Sequence, residues 1–380
     1  LIPTEIPAIA LPTNTPLILS TLPASVAPNP SATGIATGTT IFAPTIVIIV
    51  QTPSSGGTAT RPASAPTAIT QTPQPQTVYD LPGGGGRVQY PPAGGQIIDV
   101  DVSVTGRRAI VLNTGQVMID GVVQPYNADK KSGRFATKVR WSPDGRYLAF
   151  ISETPNSANQ PYESRIDDGV YVVDTQAPGS PPHKILKANV YDGNDKQIAT
   201  DIIWARNSRD LLITVAHNSA TGDAVVRTTI NGEPNQIPLI NFSNPSWLPD
   251  SSGFVATPND GTVQIQVVRG SPPSLAITPA NGSNLPAWIQ NPVQIAEGTY
   301  AFLGGSARGG NLSLYLLDGG TATAKSVPLP DAVITAEWNF AHNSLLVRLR
   351  NGQVKVLTLD GRVIDVTLQQ SNGTDIHWVR

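Results

Sequence analysis

The chain has 380 residues, no cysteine, and 25 Lys+Arg against 27 Asp+Glu, a formal net charge of −2. Disulfides, thiol catalysis and cysteine-ligated zinc are excluded, and the scattered single basic residues give no electrostatic footprint for nucleic acid. Charged residues make up only 14%, while Gly (34) and Pro (35) are abundant, which favours turns and extended chain over helix.

Residues 1–77 hold 13 Pro, 16 Thr, 11 Ala and 6 Ser, with only Glu5 and Arg61 charged. Proline at this density removes backbone donors and fixes φ near the polyproline value, so the segment reads as an extended, semi-rigid tether or stalk. Spaced apolar side chains at its start (Ile2, Ile6, Ile9, Leu11, Leu17, Leu19) give it the capacity to dock on a partner, in a groove or along a sheet edge. A bare or O-glycosylated linker is the alternative. The run Ile41–Val50 (IFAPTIVIIV) is too short to span a bilayer and contains Pro44; Ile46–Val50 reads as a strand, and no transmembrane span is expected. A stalk of this kind on a cysteine-free domain suggests an extracytoplasmic location, periplasmic or at the cell surface, with any anchor upstream of Leu1.

From Val78 the pattern changes to a repeat. The six tryptophans (Trp141, Trp204, Trp247, Trp288, Trp338, Trp378) are spaced by 63, 43, 41, 50 and 40 residues. A period near 40–45 is that of propeller blades or a solenoid. Trp141 opens WSPDGRYLAFIS, Trp204 WARNSRDLLITV, Trp247 WLPDSSGFVAT and Trp338 WNFAHNSLLVRL. Each is a strand end, a polar turn and a β-rich strand, and a third strand follows, as in VYVVD or LSLYLLD. Ile97–Leu112 keeps this form without tryptophan, so the anchors number seven.

These residues, above all WSPDGRYLAFIS followed by VYVVD, resemble the TolB-type, WD-repeat-like β-propeller repeat over about four-fifths of the chain. The resemblance implies an all-β fold, a seven-bladed propeller at 78–380, with six blades as the alternative, and a scaffold, gating or adaptor role. The small α/β domain that precedes the propeller in TolB is replaced here by the stalk. At the C-terminus, IHWV repeats the innermost-strand signal and then the chain stops. Thr77–Leu81 and Arg87–Tyr90 are therefore expected to complete the last blade as its third and fourth strands, closing the ring with strands from both ends and removing exposed edges.

The tryptophans, fixed by the period, read as packing between blades rather than as a sugar platform. No G-x-S-x-G elbow or phosphate loop occurs, and the four histidines (His183, His217, His342, His377) read as surface or turn residues without a ligand set, so neither enzyme activity nor a cofactor or metal is expected. The informative departure is the long interval from Trp141 to Trp204. Its excess falls in 152–168 and 187–201, two connections that emerge on one propeller face. Tyr162, Glu163, Arg165, Asp167, Asp168, Tyr191, Asp192, Asp195 and Lys196 there form a candidate partner-binding platform; a solvated loop pair or a calcium site are the competing readings. A shorter excess, 290–298, lengthens the hairpin after Trp288 on the opposite face. The function expected is a non-enzymatic scaffold or adaptor for proteins of an envelope or membrane-associated assembly. The alternatives are a ligand- or carbohydrate-binding propeller, marked by carboxylates and an arginine converging at the channel mouth, and a self-assembling layer or filament of copies of this chain.

Overall fold

In the computed structural model the described residues are 78–82, 86–91, 96–124, 135–153, 168–177, 179–186, 197–217, 223–232, 239–270, 275–277, 286–367 and 376–379. Contacts divide the chain into Leu1–Ile69 and Thr70–Arg380, and all that follows concerns the second unit. Its described residues form 27 strands in seven antiparallel sheets. Among the described residues no helix is long and apolar enough to cross a membrane.

The first two strands, β1 (Val78–Asp80) and β2 (Arg87–Gln89), belong to the last sheet. Blade 1 is β3 (Ile97–Val102), β4 (Arg108–Leu112), β5 (Val117–Ile119) and β6 (Val122–Val123); blade 2 is β7 (Phe135–Trp141), β8 (Tyr147–Glu153), β9 (Gly169–Asp174) and β10 (His183–Leu186). Blade 3 is β11 (Gln197–Trp204), β12 (Asp210–His217), β13 (Ala224–Thr229) and β14 (Leu239–Ile240); blade 4 is β15 (Phe242–Trp247), β16 (Phe254–Pro258), β17 (Ile265–Val268) and β18 (Leu275–Ile277). Blade 5 is β19 (Trp288–Ala296), β20 (Thr299–Gly305), β21 (Leu312–Asp318) and β22 (Thr321–Ala324); blade 6 is β23 (Val333–Trp338), β24 (Ser344–Leu349), β25 (Val354–Thr358) and β26 (Val363–Val366). Blade 7 joins β27 (His377–Trp378) to β2 and then β1.

The protein is thus a seven-bladed, all-β propeller closed by strands from both ends of the domain, and the six-bladed alternative falls. One detail of the closure differs from the sequence expectation. β27 is innermost, β2 lies beside it in the second place and β1 in the third. Strand polarity explains this. A second-place strand runs back towards the face where an innermost strand begins, so β2 can lead directly into β3.

The repeat is built on one turn. The fourth residue after each anchor (Val102, Trp141, Trp204, Trp247, Trp338) is Gly106, Gly145, Ser208, Ser251 or His342, all with positive φ between 57° and 81°. Each donates its backbone N–H to the carbonyl three residues back, at 2.9–3.1 Å. Only the first two are glycine, which is why the SPDG signature fades in later blades although the turn does not.

The tryptophans have a second task besides packing. Trp204 donates its indole N–H to the Arg140 carbonyl at 3.0 Å, Trp247 to Ile203 at 3.0 Å, Trp338 to Asn291 at 2.8 Å and Trp378 to Glu337 at 2.9 Å. Each bond reaches the innermost strand of the preceding blade, where a sheet edge would otherwise leave carbonyls without partners. Trp288 is the exception and corrects the reading of six equivalent tryptophans: it opens β19 rather than ending an innermost strand, and its N–H stays within that strand on Gln290. The extra residues 290–298 are taken up as strand and a two-residue turn at Glu297–Gly298, making β19 nine residues long.

Six of the seven blade-to-blade seams are apolar clusters. Val111 and Val117 meet Trp141 and Phe150; Ile151 and Val170 meet Ile202 and Leu211; Leu212 and Val225 meet Trp247 and Phe254. Val255 and Ile265 meet Ile289 and Phe302; Leu303 and Leu312 meet Leu345 and Val347; Leu346 and Val356 meet Val88 and Trp378. Burial of these side chains is the main driving force of the ring. Among the described residues no such cluster joins blades 7 and 1, and that seam is polar.

Candidate site in the central channel

Residues one and three positions before an anchor share one face of an unbulged innermost strand, because side chains alternate with period two. At those positions stand Asp99 and Asp101, Lys138 and Arg140, Asp201 and Ile203, Thr335 and Glu337, and His377. Seven blades bring them together around the channel.

Arg140 is the hub. Its Nη1 donates to Asp99 Oδ2 at 2.8 Å and to the Val139 carbonyl, and its Nη2 donates to His377 Nε2 at 2.6 Å. Asp201 Oδ1 lies 3.8 Å from Nη2 and 3.3 Å from Lys138 Nζ. His377 Nδ1 meets Glu337 Oε2 at 2.7 Å. The partners fix the tautomer: Nε2 accepts from the guanidinium, so Nδ1 carries the proton and donates to the carboxylate. Asp99 Oδ2 also accepts the Val139 N–H at 2.8 Å, and Asp101 accepts the Trp141 N–H and the Gln89 amide. Gln89 donates further to the Trp378 carbonyl at 3.2 Å.

Gln89, Asp99 and Asp101 are fully buried, and Arg140 nearly so. Burial alone would lower the Arg140 pKa, but Asp99, Asp201, Asp101 and Glu337 outweigh it and raise the pKa above the ordinary guanidinium value. Burial likewise works against the Asp201 carboxylate, yet the positive charges of Lys138 and Arg140 hold its pKa down at about 2. Arg140 and Asp201 therefore stay charged within a network that links blades 1, 2, 3, 6 and 7.

Beside the network lies a cavity of about 340 Å³ whose wall continues through blades 3 to 6. Two unusual backbone features face it. In blade 4, Asn244–Pro245 together oppose Ala256, and in blade 5, Asn291–Pro292 oppose Phe302; both are β-bulges. Proline is tolerated there because a bulged residue owes no donor to the ladder. Asn244 and Asn291 have φ of 51° and 50°. Left-handed backbone directly before proline is costly, and such strain concentrates at functional positions. Across the channel from blade 3, Arg206 donates to the Phe340 carbonyl at 2.6 Å and stacks over its ring at 5.1 Å.

Most sequence-proposed site residues lie outside the described residues: Tyr162, Glu163, Arg165, Asp167, Tyr191, Asp192, Asp195, Lys196 and the tether positions Ile2, Ile6, Ile9, Leu11, Leu17 and Leu19, as does the strand read at Ile46–Val50. Asp168 is described. It is 2% exposed, just before β9, and its carbonyl accepts from Lys184 Nζ at 3.4 Å, unlike an exposed contact residue. The reading of the histidines is corrected at His377, which is a channel residue rather than a surface or turn residue. His342 is a turn residue, as expected. Among the described residues no group of three or more His, Asp or Glu is placed to hold a metal ion.

No protein-family model and no curated protein matches the chain. Among solved structures it is similar to a chain in the crystal structure of a mitotic checkpoint complex, at 15% identity and a TM-score of 0.43, over 85% of this chain and 88% of that one. At that level the likeness says nothing about what this chain does.

Proposed function

We propose that the protein is a non-enzymatic, extracytoplasmic scaffold: the 1–77 tether attaches it, and one propeller face holds protein partners of an envelope or membrane-associated assembly. The observation that carries the reading is where the long connections leave the ring. Residues 154–167 join β8 to β9 and 187–196 join β10 to β11. In an antiparallel blade these junctions open on one face, while the opposite face carries the short repeated turns. The resemblance to TolB-type repeats agrees with an adaptor role.

The test is cross-linking with mass spectrometry on native envelopes, reading neighbours of 1–50 and of 152–201. Links from the two regions to different proteins are expected. Links only between copies of this chain would replace the scaffold with a self-assembling layer, and no protein neighbour at either region would overturn the reading.

A further inference from the structure

We propose that the channel cavity binds a small neutral saccharide, at the wall formed by blades 3 to 6. The inference is independent of the scaffold reading and rests on what the charge network leaves unused.

The cavity is divided in character. On the side of blades 7, 1 and 2 Arg140, Asp99, Asp101 and Gln89 are buried and joined by hydrogen bonds, and the two oxygens left there without a hydrogen-bond partner among the described residues, Asp99 Oδ1 and Gln89 Oε1, are closed off from solvent. On the other side the carboxylates keep contact with solvent: the side chains of Asp201 and Glu337 are 39% and 34% exposed. Glu337 uses Oε2 for His377, and its second oxygen is directed to no hydrogen-bond donor among the described residues. Among the described residues the Asn244 amide nitrogen donates only to its neighbour Ser243, at 3.1 Å. Its strained backbone brings that amide to the cavity wall.

The ligand class follows from three properties. The volume, about 340 Å³, is at the small end of ligand sites, which run from roughly 300 to 1,000 Å³. The charge of the wall balances, with Lys138, Arg140 and Arg206 against Asp201, Asp223 and Glu337. A net charge on the ligand would therefore gain nothing overall and lose its hydration. Carboxylate acceptors and an amide or ammonium donor stand beside an aromatic face: Phe340 is 45% exposed, large for a ring on a channel wall. Vicinal hydroxyls, each both donor and acceptor, on a ring with an apolar face match that set. A peptide would need an extended groove, and a nucleotide would need cations not already neutralised.

The experiment uses the full chain on a glycan array, followed by calorimetric titration of the strongest neutral saccharide against wild type, Glu337→Gln and Asn244→Gly. The glutamine keeps an acceptor for His377, and glycine accepts the backbone of position 244, so both variants are expected to melt within a few degrees of wild type. Saturable binding of a neutral mono- or disaccharide is expected, weakened about 10- to 100-fold by Glu337→Gln, the range for loss of a hydrogen bond to a charged group, and about tenfold by Asn244→Gly. Phe340→Ala, at an exposed position, supplies a third variant should one of these fail to fold, and it too is expected to weaken binding. Binding of no neutral saccharide, binding only of acidic or amino sugars, or affinity unchanged within twofold in every folded variant would each overturn the proposal.

Discussion

The seam between blades 7 and 1 and the six other seams solve the same problem with opposite chemistry. At the others, branched and aromatic side chains from two sheets interlock, and any one methyl group contributes little to specificity of position. At the closing seam Gln89 donates to Asp101 and His377 lies 3.9 Å from Asp99, while the same two aspartates hold Arg140 and the backbone of β7 in blade 2, and Arg140 reaches over blade 1 to His377 of blade 7. A polar clasp is less forgiving than an apolar one: each group has a required partner, and removing one leaves the other buried and uncompensated. The location is informative. This is where the two ends of the domain meet, and directional bonds set the register of a two-residue strand, β27, that carries too little apolar surface to set it alone.

The largest expected effect comes from breaking the clasp at its hub. Arg140→Met strands Asp99 in the interior and is expected to cost about 3–5 kcal/mol in denaturant unfolding. Asp99→Asn combined with Arg140→Met should recover part of that loss, because no buried charge then remains at that pair. A loss below 1 kcal/mol in the single variant would mean that the seam is held by something other than these charges.

A second effect separates pH windows. Burial holds His342 at a pKa of about 4, below its ordinary 6.5, although its bond to the Gln294 carbonyl works the other way. The unfolded chain therefore binds more protons than the folded one between those values. The contribution is complete above about pH 6.5 and lost as pH falls towards 4, on the order of 3 kcal/mol. His342→Asn, which tolerates the left-handed backbone, should flatten unfolding stability in that window. The Asp201 contribution should persist there and fade only as pH falls from about 4 to 2. An unchanged profile in His342→Asn would contradict the assignment.

The smallest effect compares tryptophans. Trp204→Phe leaves the Arg140 carbonyl without its indole donor and should cost about 1–2 kcal/mol. Trp288→Phe breaks only a bond within its own strand and should cost less than half as much. Equal losses in thermal or urea unfolding would return Trp288 to the common repeat position.

The propeller was legible because the repeat writes the same turn after each anchor. Closure by both ends was legible from IHWV, whereas the places of β1 and β2 were not, since strand polarity rather than side-chain pattern decides them. Trp288 misled because spacing counts residues and cannot see that β19 absorbs extra ones beyond its bulge. The channel site was missed for a different reason. His377 lies 40 residues from Glu337 and 237 from Arg140, so no local motif contains them. Yet a usable signal was present: tabulating the residues one and three before each anchor collects Asp99, Asp101, Lys138, Arg140, Asp201, Glu337 and His377 without a structure.

Amide hydrogen exchange on Arg140→Met, beside Leu345→Ala from the apolar seam of blades 5 and 6, tests the polar clasp most directly. If the ring is held shut at that seam, Arg140→Met accelerates exchange chiefly in β1, β2, β3 and β27 and spares blades 4 and 5, while Leu345→Ala shows the reverse emphasis. Uniform acceleration in both variants, or protection of β2 and β27 unchanged by loss of Arg140, would contradict closure by the clasp.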